Sequence, residues 1–163
     1  MSLYLINVTV HVLAAFVWLG GLFFLGLMAP TLRRIEPPAL RAELFTKIGT
    51  KFRSVGWVAI GLLLVTGVLN LHFGGVLHGE MLGSAAFWGS AYGRALAWKL
   101  VAVTGIVVGS ALHDFVYGPR ASRAVAGSAE AQVLRRRASW IARVNAPFGL
   151  ILLIAAIRLT RGV

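Results

Sequence analysis

Eighteen consecutive residues, Val12 to Ala29, carry no charged side chain, and the indole of Trp18 is their one hydrogen-bonding side chain. A helix of that length rises roughly 27 Å, close to the ~30 Å hydrocarbon thickness of a bilayer. A cleavable secretion signal would pair a basic start with a shorter apolar core. The opening MSLYLIN has no Lys or Arg. Leu3 to Pro30 therefore reads as a membrane helix, and everything after it has to be read against lipid.

Composition agrees. Of 163 residues, 58% are hydrophobic and 13% charged, about half the charged fraction of a soluble domain. A single membrane-embedded domain over residues 1–163 is expected, with apolar spans near 3–29, 54–72, 93–117 and 140–159. There is no cysteine, which removes disulfides, thiolate metal sites, iron–sulfur clusters and thioether-linked haem.

The net charge of +11 is placed unevenly. Arg33, Arg34, Arg41, Lys47, Lys51 and Arg53 lie between the first two spans. Arg120, Arg123, Arg135, Arg136 and Arg137 lie between the last two, with Arg143 just beyond, while residues 73–92 hold no Lys or Arg. By the positive-inside rule both basic segments belong in the cytoplasm and both termini in the periplasm. The expected fold is an all-α, up-down-up-down four-helix bundle, multi-pass in a bacterial inner membrane. The charge is then a topology signal and a contact for anionic lipid, and nucleic acid is not an expected partner. Pro37 and Pro38 suit the start of a basic helix that either lies on the membrane surface or extends the second span inward. Ser128 and Glu130 suit the start of the last helix.

Few polar groups lie within the spans. His11 shares a helical face with Asn7, Ala14, Ala15 and Trp18. An ionisable group at membrane depth costs on the order of 2 to 3 kcal/mol, so it should face protein rather than lipid. It is either a ligand or a neutral imidazole hydrogen-bonded to another helix. Lys99, about two turns inside the third span, is expected at similar depth, facing inward or snorkelling outward. Thr66 and Asn70 share a face of the second span. His72 points nearly the opposite way if that helix stays regular, although Gly74 and Gly75 could unwind its end. His78, beside Glu80, reads as a solvated loop residue. His113 and Asp114 lie roughly 21 Å from Lys99 by helix rise, with Asp114 an ion-pair candidate for Arg120 or Arg123. Asn145 and Pro147 make the inner end of the last helix polar.

The outer-half inventory of His11, His72, Arg94, Lys99 and Arg158 would suit a porphyrin, with imidazole for iron and cations for propionates. Copper(I) prefers sulfur ligands, and Met28 and Met81 fall at opposite membrane surfaces. Hydrolytic triads, carboxylate pairs and phosphate loops are absent.

His11 followed by Trp18 and WLGGLFFL, LLLVTGVLN at 62–70, YGRALAWKL at 92–100, LHDFVYGPR at 112–120 and RVNAPFGLILL at 143–153 together resemble two related membrane families. One is the membrane domain of CopD-type copper-resistance proteins. The other is the HemJ-type protoporphyrinogen oxidase, whose histidine and lysine at the positions of His11 and Lys99 are regarded as functional and whose cofactor is b-type haem. The resemblance implies a b-type haem protein serving electron transfer or porphyrin oxidation. His11 would ligate iron, with His72 or another group as second ligand. Arg94 and Lys99 would meet propionates, or Lys99 would be catalytic in proton transfer, and a redox partner would follow. The alternatives are CopD-type copper transport, with His11 and His72 among weak metal ligands, and a non-catalytic subunit or assembly factor.

Overall fold

The computed structural model describes residues 2–77, 79–123 and 128–161, all helices and connecting turns. The chain divides into two compact units, Met1–His78 and Gly79–Val163.

The first unit is a pair of long helices, α1 (Leu3–Leu32) and α2 (Pro38–Phe73). The Ser2 hydroxyl caps α1, accepting from the Leu5 N–H at 3.3 Å, and a five-residue link returns the chain antiparallel. Pro38 begins α2 where a missing N–H costs nothing. The basic segment is one continuous helix with the second span, so the surface-lying alternative does not occur. No proline interrupts residues 39–73, and the glycines there are isolated. At 36 residues α2 is roughly 54 Å long, well beyond the hydrocarbon thickness.

Small residues set the approach of α1 to α2. A Cβ on Gly21 would collide with the Phe52 ring, and one on Gly56 would meet Trp18 Cδ1 at 3.8 Å. Trp18 is only 5% exposed as a result. The other flanks of α1 are exposed phenylalanine and leucine, including Phe16, Phe23 and Leu27, as suits contact with acyl chains.

Gly74 and Gly75 do not unwind α2. Gly75 takes φ 72°, the left-handed conformation glycine adopts without a Cβ penalty. The Gly75 N–H donates to His72 O at 3.0 Å and the Val76 N–H to Leu71 O at 2.9 Å. This is a Schellman closure, with buried Val76 as its apolar partner. The helix stays regular through His72.

The second unit begins with two short helices, α3 (Gly79–Leu82) and α4 (Ala85–Gly89). The Trp88 indole ties them by donating to Leu82 O at 2.8 Å. Next comes α5 (Ala91–Ala111), capped by the Ser90 hydroxyl, which accepts from the Gly93 N–H at 3.0 Å. Gly93 is where α4 backbone crowds α5, since a Cβ would strike the Phe87 carbonyl. A regular third span to residue 117 is not what forms: Leu112–Tyr117 is a π-helical turn, followed by α6 (Gly118–Arg123). The last helix, α7 (Ala129–Arg161), starts directly after Ser128 with Glu130 in its first turn and runs through Pro147. It packs on α5 and α6.

Among the described residues, three helical stretches are long and apolar enough to cross a membrane: Leu3–Leu32, Pro38–Phe73 and Ala91–Ala111 continued to Arg120. The fourth expected span is helical throughout, but its apolar part, Pro147–Leu159, is shorter. His78 and the Asn145 side chain lie outside the described residues.

Candidate functional site

The polar residues of the first unit meet in one seam between α1 and α2. Asn7 and His11 stand one turn apart on α1, and Thr66 and Asn70 one turn apart on α2, so antiparallel packing sets the two pairs against each other. The Asn7 amide donates to the Thr66 carbonyl at 3.0 Å and to Asn70 Oδ1 at 2.9 Å. Asn7 and Thr66 are 7% and 6% exposed. His11 is half-buried beside them, and a Cβ on Gly67 would sit 3.6 Å from its Cε1. Glycine at 67 thus lets the imidazole lie close to the α2 backbone.

Hydrogen counting favours a proton on His11 Nδ1. Thr66 Oγ1 has one proton, and it lies 2.5 Å from Leu62 O, a carbonyl that can only accept. The same hydroxyl lies 2.7 Å from His11 Nδ1. With its proton directed to Leu62, Thr66 must accept from Nδ1–H. Nδ1 then carries a proton, and an outer hydrogen bond of this kind orients a metal-binding imidazole.

The other expected site residues are placed differently. His72 is exposed on the opposite face of α2 from Asn70, its ring tilted against Phe73 with centroids 5.9 Å apart. It does not join His11 in the seam. Lys99 and Arg94 belong to the second unit. Lys99 is half-buried on the α5 stripe that carries buried Ala95, Ala102 and Ile106. Arg94 is exposed one turn into α5 and donates to the Gly89 carbonyl. In the π-helical turn, His113 Nδ1 donates to Asp114 Oδ1 at 2.8 Å.

Asn7 and Asn70 are the seam residues that sequence reasoning named only as neighbours. Their signal was present: Asn7/His11 and Thr66/Asn70 are two i, i+4 polar pairs on adjacent spans, each at the end opposite the basic link.

Among the described residues, no three His, Asp or Glu side chains gather as a metal-holding group. Among the described residues, the polar groups of the seam are one imidazole, amides and hydroxyls, with no second histidine. The seam does not by itself fit a six-coordinate b-type haem.

Comparison with known proteins narrows the chemistry. The family described as Copper resistance protein D matches residues 46–159, which take in Thr66, Asn70, Arg94 and Lys99 but stop short of Asn7 and His11. An uncharacterized protein of Aquifex aeolicus is similar at 28% identity over 154 residues, 93% of this chain and 92% of that protein. No solved structure matches the chain. Three apolar helices together with that match make this a multi-pass membrane protein related to copper resistance, and the chain belongs to the Copper resistance protein D family.

Proposed function

We propose that the chain passes copper across the bacterial inner membrane, with His11 as an intramembrane contact for the ion. The observation that carries this reading is a half-buried imidazole, oriented by its hydrogen bond with Thr66, in a protein of a copper-resistance family. One imidazole holds copper weakly, as conduction requires, because a complete ligand cage would trap the cargo. The family supports copper over the haem reading drawn from the sequence. The HemJ-type likeness rests on the sequence motifs alone.

The arrangement in the membrane is part of the proposal. The chain acts as one membrane domain with four spans, its basic segments cytoplasmic and both termini periplasmic, as the Lys and Arg distribution favours. Because the chain has no cysteine, single cysteines at Ser2 and Lys47 would report sidedness cleanly. A membrane-impermeant thiol reagent added outside intact cells should label the first position and not the second.

Function is tested with the full chain in proteoliposomes, following copper uptake alongside the visible spectrum of the purified protein. Wild-type vesicles should accumulate copper, and His11→Ala should abolish uptake while melting as a folded protein. Vesicles that take up no more copper than protein-free ones would overturn the proposal. A Soret band lost in His11→Ala would replace it with the haem reading. Uptake unchanged by His11→Ala, with lowered stability only, would leave His11 a helix-joining residue in a non-catalytic subunit.

A further inference from the structure

A second polar grouping, in the other unit, has no part in the copper reading. The start of α5 and the end of α7 enclose a cleft of about 230 Å³. Arg94 reaches it from one turn inside α5, and Arg158 from one turn short of the end of α7. Both guanidinium-bearing residues therefore sit toward the same end. Further along come Trp98, Ile151 and Ile154. The buried alanines Ala95 and Ala155 let the two helices approach.

The cleft is graded from cationic to apolar, and among the described residues no acidic one lines it. Two like charges at one end repel each other, and an anion between them relieves that repulsion. Guanidinium forks match phosphate oxygens bidentately. The apolar end is open on one side, with Trp98 60% and Ile154 47% exposed. A small hydrated anion would satisfy the arginines and leave the indole and isoleucine uncovered. An acyl chain would cover them.

We propose that this cleft is a binding site for a phospholipid with an anionic headgroup, its phosphate between Arg94 and Arg158 and an acyl chain along Trp98 and Ile154. The lipid closes the α5–α7 seam on its open side and neutralises the arginine pair where the helices leave the hydrocarbon.

The test uses purified full-length protein in neutral detergent, with bound lipid counted by native mass spectrometry and stability read by thermal melting. Phosphatidylglycerol should be retained and should raise the melting temperature, where equal phosphatidylcholine does not. The double variant Arg94→Gln/Arg158→Gln should retain phosphatidylglycerol about thirtyfold more weakly, given the usual contribution of each basic group at an anionic surface. Arg53→Gln, in the other unit, should behave as wild type. If the double variant fails to fold, Arg158→Gln alone is read in the same way. Equal retention of the two lipids would overturn the proposal, as would undiminished phosphatidylglycerol on the arginine variants. So would an equal stabilisation by inorganic phosphate, which would mark a plain anion site, or a bound porphyrin in the lipid's place.

Discussion

The α1–α2 seam and the α5–α7 cleft handle polar groups within apolar helices in opposite ways. In the seam amide, hydroxyl and imidazole groups are matched as donors and acceptors: Asn7 to Thr66 and Asn70, His11 to Thr66, Thr66 to Leu62. Amides and hydroxyls paired in this way have their desolvation offset by the bonds they make. In the cleft the groups are charged, but they are confined to the helix ends, where guanidiniums reach water or headgroups. A hydrogen-bonded site is rigid and tolerates little. A rim of charges holds its partner loosely and depends on what the bilayer supplies.

Substitutions can break or sharpen this contrast. The largest effect should come from Gly21→Leu, which drives a branched side chain into Phe52. Overpacking there should lower stability by about 2 to 3 kcal/mol in detergent unfolding, and an unshifted transition would show that α1 and α2 are not held by that contact. Next is Thr66→Val, which removes the acceptor for His11 Nδ1–H. Copper affinity should fall about tenfold or more, as is typical when an outer-shell partner is lost. The imidazole ¹⁵N shifts should leave the pure Nδ1–H pattern, and Thr66→Ser should restore it. Wild-type shifts in Thr66→Val would dispose of the tautomer argument whether or not copper binds. Asn7→Leu should cost about 1 kcal/mol, the usual scale for interhelical hydrogen bonds in lipid, measured by the same unfolding. Arg94→Gln/Arg158→Gln in zwitterionic detergent should change stability by less than about 0.5 kcal/mol, as a solvated rim allows. A loss as large as that of Asn7→Leu would erase the contrast. Smallest is Glu43→Ala, which removes an exposed pair with Lys47 at 2.6 Å and should cost only about 0.3 kcal/mol.

Much of the first unit is legible in the sequence, because its signals are local. The uncharged run from Val12 marks α1, Pro37–Pro38 marks the start of α2, and helical spacing alone puts Thr66 with Asn70 and sets His72 on the other side. What spacing cannot supply is the register between helices. That Asn7 meets Asn70, and that His11 lands on Thr66 rather than a turn away, follows from how Gly21 and Gly56 let Phe52 and Trp18 nest. The same limit applies to Arg94 and Arg158. Both read as outer-end cations, yet the cleft they share depends on α5–α7 contacts far apart in sequence. The π-helical turn at Leu112–Tyr117 leaves no compositional mark, since LHDFVY is compatible with an ordinary helix. The last span is the least legible, as Arg143 and Asn145 shorten its apolar part to Pro147–Leu159.

The unbroken course of α2 makes it a lever. Thr66, which orients the imidazole, and Lys47, about 28 Å away at 1.5 Å per residue if the rod is straight, cannot tilt independently. A swing of about 5° along its ~54 Å length would displace one end relative to the other by about 5 Å. Any ion-driven shift of the imidazole against α2 would therefore be amplified at the helix's basic end, where a spin label could register it without touching the seam.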